Sequence, residues 1–203
     1  MKIGIIDIGI SNIQSVYNSL KYLSYKADIL VDSKLTNEYS HLILPGVGAY
    51  PKGIEFLKST GFDQTLKTYI KSGKSLLGIC LGMQLLSYKG EEHGENFGLN
   101  LVNGTVSKMI VPDSLLLPHV GWNTVHQFSN SKLWTEIDDE TAFYFTHSFS
   151  YTNVEEKFEI GRVNYGGDVT VAIQNNNIYG VQFHPEKSQT KGLKLLENFI
   201  ELC

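Results

Sequence analysis

Short apolar runs alternate with helical patterns over the first ninety residues, and that alternation leaves few folds open. Residues 3–6 form a buried-strand run, after which the period switches to about 3.6, with Ile13, Val16, Tyr17, Leu20 and Leu23 on one face. Ser11 and Gln14 have the S-x-x-Q spacing of a capping box, which places the helix start there. Residues 27–31 and 41–44 read as the next strands. Phe62, Leu66, Tyr69 and Ile70 mark a second helical face, followed by a strand over 75–79 and a helix over 81–88. Such alternation predicts an α/β fold with a mostly parallel central sheet and helices on both faces.

The second half changes character. Residues 104–110, 142–145, 169–174 and 178–183 are strand-like, with turn chemistry at 164–168 and 175–177. These predict additional antiparallel strands in the same domain. A last helix over about 189–201 is expected to turn Leu193, Leu196 and Ile200 inward. With 203 residues, no repeat and no Pro/Gly/Ser linker, the chain reads as one domain, 1–203.

Composition excludes several classes of function. Hydrophobic residues make up 42% and charged residues 19%, which is globular usage. The net charge of −4, with no basic block, lacks the footprint of a nucleic-acid binder. No apolar run approaches the roughly 20 residues of a membrane span. Only Cys80 and Cys203 are present, so there is neither a disulfide framework nor zinc spacing, and a reduced, cytoplasmic setting is expected. The six histidines form no H-x-H or H-E-x-x-H pattern, and no metal or other cofactor is expected. His93, in an acidic loop, reads as solvated.

The sharpest local signal is Gly78-Ile79-Cys80-Leu81-Gly82, lying between a predicted strand and a predicted helix. That is the context of a nucleophile elbow, in which flanking glycines permit a tight turn. The sulfur would then sit at a helix N-terminus, a setting that favours thiolate. A buried structural cysteine is the alternative. A thiolate needs a base, and the base needs an orienter. His184-Pro185-Glu186 supplies both if the chain there is extended, since positions i and i+2 then point to one side. A strand ending at a proline, with a solvated glutamate, is the plainer reading. Pro45-Gly46-Val47-Gly48 follows the strand at 41–44. Beside an elbow, this loop could complete an oxyanion hole with the Leu81 N–H.

LLGICLGMQLL, LPGVG, LPHVGWN, FYFTHS and GVQFHPEKS together resemble the glutamine amidotransferase subunits of imidazole glycerol phosphate synthase, which are triad-type (class I) glutaminases. The matching segments run from Gly4 to Ser188. The resemblance implies that Cys80 attacks the side-chain amide of glutamine, His184 moves the protons and Glu186 orients it. It further implies that Val47 and Leu81 stabilise the oxyanion, and that Gly48, Gln84 and the backbone at Ser148 and Phe149 hold glutamine. The implied partner is a barrel-type synthase subunit that receives the ammonia, with Asn12, Trp122, Asn123, Tyr144 and Lys187 at the interface.

Asp7-Ile8-Gly9-Ile10-Ser11-Asn12 departs from the family's D-Y-G-x-G-N, beside the expected docking surface. Paralogues feed ammonia to enzymes that modify surface sugars, so that partner stays open. A lone cysteine amide hydrolase and a non-catalytic interaction module on the same scaffold are the remaining readings. The intact Cys80, His184 and Glu186 argue against the module.

Overall fold

The computed structural model describes all 203 residues. Strand β1 (Ile3–Ile6) leads through helix α1 (Ile13–Tyr22) to β2 (Ala27–Leu30), and β3 (His41–Gly46) follows. Two helices, α2 (Tyr50–Thr60) and α3 (Phe62–Lys71), precede β4 (Ser75–Cys80), which runs directly into the short helix α4 (Leu81–Leu85). These four strands are parallel in the order β2-β1-β3-β4. Every residue of β1, β3 and β4 is buried, as a parallel sheet covered on both faces requires.

Alternate side chains sort onto the two faces. Ile3, Ile5, Ile43, Leu77 and Ile79 pack with Val16 and Leu20 of α1 and with Leu195 and Phe199 near the C-terminus. Ile6, Leu42, Leu44 and Leu76 pack with Ile54 and Leu57 of α2 and Phe62 and Leu66 of α3. The period of two in the strands thus builds two cores, one on each side.

The later strands continue the sheet. They are β5 (Lys89–Gly90), β6 (Asn96–Phe97), β7 (Thr105–Lys108), β8 (His119–Gln127), β9 (Thr141–His147), β10 (Phe149–Thr152), β11 (Glu159–Asn164), β12 (Asp168–Asn175) and β13 (Ile178–Val181). β13 is parallel to β4 and antiparallel to β12, so it joins the two halves. Beyond β12 the sheet forks, one branch running through β10, β7, β5 and β6, the other through β11, β8 and β9. Helix α5 (Gln189–Leu202) closes the chain.

Several sequence expectations need correction. α1 starts after Asn12, whose side chain makes no capping bond to the backbone; Ser11 Oγ is buried without a partner, and Gln14 bonds Asn18 instead. The S-x-x-Q spacing is therefore not a capping box. α4 stops at Leu85 rather than 88, and β13 is parallel to its β4 neighbour rather than wholly antiparallel. In α5 the buried apolar face is Leu195, Leu196, Phe199 and Ile200, with Leu193 only half-buried. Helix α2 and strands β8, β10 and β11 have no counterpart in the sequence reading. α2 carries Pro51 and Gly53, which read as loop, yet Pro51 sits in the first turn where proline is tolerated. Gly53 is there for contact, since a Cβ would lie 2.9 Å from Leu85.

Candidate active site

Three adjacent parallel strands end together and bring the chemistry to one edge. Register pairs Gly46 of β3 with Cys80 of β4, and Ile79 of β4 with Val181 of β13. Val47, Cys80 and Gln182 therefore leave the sheet side by side, at the carboxyl ends where open α/β sheets bind ligands. At the turn, Cys80 itself takes the unusual backbone, φ 54° and ψ −112°. Such a conformation costs about 1–3 kcal/mol in a non-glycine residue and concentrates at functional sites. The flanking glycines act differently from expectation. A Cβ on Gly82 would lie 1.7 Å from the Leu44 carbonyl oxygen, and one on Gly78 would lie 2.7 Å from the backbone of Gly82. They allow close approach, while the cysteine bears the strain. α4 spans five residues, so its dipole is weaker than that of the long helix the sequence suggested.

His184 and Glu186 do meet, though not through an extended chain. Residues Pro185–Lys187 form a 3₁₀ turn that His184 opens. Within it, His184 Nδ1 lies 2.7 Å from Glu186 Oε1, and both side chains are almost fully buried. The turn is clamped from outside. The His184 N–H donates to the Tyr144 carbonyl, and Ser188 Oγ donates to the His184 carbonyl while accepting the Tyr144 N–H. Burial alone would lower the His184 pKa, but Cys80 and Glu186 outweigh it and hold the imidazole well above its ordinary value. Nε2 of His184 and Oε2 of Glu186 are buried with no hydrogen-bond partner. The imidazole thus has one nitrogen pinned by a carboxylate and the other free for proton transfer near the sulfur.

A cleft of about 290 Å³ opens beside Cys80, lined by Val47, Gly48, Leu81, Gln84, Ser148 and Phe149, with Glu92, Pro118, Thr146 and His147 completing the wall. All the glutamine-facing and oxyanion positions named from the sequence therefore line one cavity with the cysteine. Their hydrogen bonds refine the expectation. Gln84 is buried, and its amide nitrogen is committed to the Phe149 carbonyl and to Gln182. The Ser148 carbonyl accepts the Met109 N–H. Both backbone carbonyls are thus already engaged inside the protein. Leu81 opens α4, where first-turn N–H groups have no intrahelical partner. The Val47 N–H, by contrast, donates to the Ile10 carbonyl at 2.8 Å. It is turned away from the cleft, held by the segment that departs from the family pattern.

The interface candidates divide. Trp122 and Tyr144 face each other across β8 and β9, their rings 6.1 Å apart, and Lys187 Nζ lies 5.7 Å from the Tyr144 ring centre. Trp122 is half-exposed, and so is Val120, two residues before it on β8. Asn123 turns inward and donates to the Asn164 carbonyl. Asn12 accepts the Ser15 hydroxyl with its side-chain oxygen. Among the residues that escaped the sequence reading are Glu92 and Gln182. Glu92 sits in the acidic loop, where a carboxylate reads as solvated; only the fold carries it to the cleft. Gln182 was legible only as one letter of GVQFHPE.

A thiol at a strained elbow, a buried His–Glu pair and a polar cleft define an acyl-transfer site of the cysteine type. The family model described as glutamine amidotransferase class-I matches residues 4–202. An imidazole glycerol phosphate synthase subunit HisH from Desulfitobacterium hafniense is 45% identical over 197 residues, 97% of this chain and 92% of its own. The HisH subunit of Caldanaerobacter subterraneus subsp. tengcongensis is 42% identical over 200 residues, 98% of each. A crystal structure titled glutamine amidotransferase superposes with a TM-score of 0.78 at 18% identity, covering 98% and 97% of the two chains, a likeness of fold. The chain belongs to the class I glutamine amidotransferases and, among them, to the family of HisH subunits of imidazole glycerol phosphate synthase.

Proposed function

We propose that this chain, acting as one glutaminase domain, hydrolyses glutamine to glutamate and ammonia and passes the ammonia to a synthase partner in histidine biosynthesis. The observation that carries the reading is the buried His184–Glu186 pair, 2.7 Å apart, whose imidazole is coupled to Cys80, the cysteine that lines the glutamine-sized cleft. The relatives' names support the pathway.

The Cys80 sulfur attacks the side-chain carbonyl carbon of glutamine, and the C=O electrons move onto oxygen. The Leu81 N–H faces that oxyanion, and the Val47 N–H joins it once released from Ile10. His184, protonated with Glu186 as counter-charge, gives its Nε2 proton to the amide nitrogen. The C–N bond breaks and ammonia departs, leaving a γ-glutamyl thioester on Cys80. Neutral His184 then takes a proton from water as its oxygen attacks the thioester. Collapse expels the sulfur and frees glutamate. Gly48, Gln84, Ser148 and Phe149 shape the pocket, and the Glu92 carboxylate suits the α-ammonium of glutamine.

The partner in this reading is a barrel-type synthase subunit, forming a cytoplasmic heterodimer over Trp122, Tyr144 and Lys187, with Asn12 at its edge. Aromatic residues rank high among binding hot spots, and these two pack edge to face with Trp122 half-exposed. Co-purification of the tagged chain from its native extract tests the partner. A barrel synthase is expected; a sugar amidotransferase would move the ammonia to another pathway, and no partner would favour a lone hydrolase.

A further inference from the structure

A hydrogen-bonded chain of buried and half-buried polar groups runs from the Cys80 sulfur to β8. Gln182, fully buried, donates from Nε2 to the Cys80 sulfur at 3.7 Å. Its Oε1 accepts from Gln84 Nε2 at 2.9 Å, and the same Gln84 nitrogen donates to the Phe149 carbonyl at 3.0 Å. From the far side, that carbonyl accepts from His147 Nδ1 at 2.9 Å. His147 Nε2 lies 3.1 Å from His119 Nδ1, and His119 Nε2 lies 3.4 Å from Asn123 Nδ2. Asn123 Oδ1 takes the Thr124 N–H, which turns the amide nitrogen toward His119.

The donor directions follow from chemistry. A carbonyl only accepts, so His147 Nδ1 carries its hydrogen. An amide nitrogen only donates, so His119 Nε2 is bare and His119 Nδ1 donates to His147 Nε2. Both rings are therefore neutral, because a proton added to either would oppose two N–H groups. Burial lowers the pKa of both, that of His147 to about 4, where the Phe149 carbonyl opposes the shift and His119 and His184 add to it. On the other side of Phe149 the same logic sets the amides. Gln84 must turn its nitrogen to the carbonyl, so Gln182 turns its oxygen to Gln84 and its nitrogen to the sulfur.

We propose that Gln182 is a further catalytic residue, its amide N–H holding and stabilising the Cys80 sulfur, and that His147, backed by His119, is the positioning residue that holds in place the Phe149 carbonyl to which Gln84 donates. This rests on the glutaminase reading for its substrate, but the Gln182–Cys80 contact can be tested without one. If Gln84 turned over, Gln182 would follow and set an oxygen lone pair against the sulfur. A buried network keeps one orientation only while every member is satisfied.

The experiment uses the full chain with Gln182→Met, Gln182→Glu, His147→Leu and His147→Asn, each checked for folding by thermal melt. Three quantities are read: kcat and KM for glutamine, and the rate of iodoacetamide labelling on the Cys80 peptide. Gln182→Met is expected to lower kcat and labelling together by roughly tenfold, with KM nearly unchanged, the scale of one hydrogen bond to a charged group. Gln182→Glu keeps the shape and the acceptor for Gln84 but sets an oxygen on the sulfur, and labels more slowly still. His147→Leu loses activity, and His147→Asn, whose Nδ2 replaces the ring Nδ1, recovers most of it. Wild-type labelling and kcat in either folded Gln182 variant would overturn the proposal. So would a folded His147→Asn chain that performs no better than His147→Leu. A wild-type chain that hydrolyses no glutamine, with or without partner, sinks the glutaminase reading alone; the labelling rates still decide the contact.

Discussion

The two halves of the site are in different states. On one side, Cys80, His184 and Glu186 are locked by strand register, a 3₁₀ turn and the Ser188 clamp. On the other, the Val47 N–H that would complete the oxyanion hole is tied to Ile10. Bond-making machinery is assembled while part of the charge stabilisation is withheld. A glutaminase built this way need not consume glutamine until something frees the loop. The two halves are also mechanically close, because the Tyr144 carbonyl holds the His184 N–H and the Tyr144 ring faces outward with Trp122.

The largest break in that contrast is removal of the nucleophile. Cys80→Ala is expected to abolish glutamine hydrolysis with the fold retained, since the change deletes one atom at the cleft wall. Retained glutaminase activity beside an unchanged melting temperature would refute the mechanism. Next in size is the loop. The isolated chain is expected to be a poor glutaminase, with a synthase partner carrying its acceptor ligand raising turnover by up to about 10²–10³, the worth of one oxyanion donor. The Val47 N–H lies in the peptide that Gly46 begins, and a glycine there lets that peptide turn at low cost, so the partner need only shift a population. Steady-state assays with and without partner measure this; full turnover by the chain alone would erase the distinction between the halves.

How much of this was legible in the sequence follows from the range of the forces involved. The parallel half was readable because buried strands are apolar runs and their helices carry a strong period. β8 was not, since its inward positions hold His119, Gly121, Asn123 and Gln127 beside Val125 alone, while Val120 and Trp122 face outward, which scrambles the apolar alternation. Cys80, His184 and Glu186 were readable as three letters in two motifs, yet the reasons given for their geometry were partly wrong: the φ strain sits on Cys80, and the His-Pro-Glu segment is a turn. Glu92 and the His119–His147 pair were invisible because they are brought together only by long-range pairing, His119 opposite His147 across β8 and β9.

A smaller effect sharpens the locked half. Glu186→Gln is expected to reduce turnover by roughly 10–100-fold, the scale of a hydrogen bond to a charged group, while Cys80 still labels with iodoacetamide. Unchanged turnover would remove Glu186 from the reaction. Two of the buried histidines, His184 and His147, also differ in sign toward pH. His184 has a raised pKa in the fold, so its stabilisation is complete below about 6.5 and is lost as pH climbs through the folded value. His147 is lowered to about 4, so its contribution is complete above about 6.5 and is lost as pH falls toward 4. Unfolding free energy should therefore drop between pH 6.5 and 4 by up to about 1.4 kcal/mol per pH unit from this one group, a slope that His147→Asn removes. Identical acid slopes in the two proteins would show that His147 is not held neutral.

The smallest expected effect concerns the second cysteine. Cys203 is half-buried, with burial raising its pKa, and its carbonyl lies 3.1 Å from His41 Nε2. His41 opens β3, while Gly46, at the other end of that strand, pairs with Cys80. Five residue steps at about 3.3 Å put roughly 16 Å of strand between the two thiols' ends of the sheet. No charge or proton transfer spans that distance through a packed apolar core. Cys203→Ser should accordingly leave kcat and KM unaltered and shift the melting temperature by no more than a few degrees. A large loss of turnover in this variant would mean that the far end of the sheet reaches the locked half, and the division of the molecule drawn from Cys80 and Val47 would have to be redrawn.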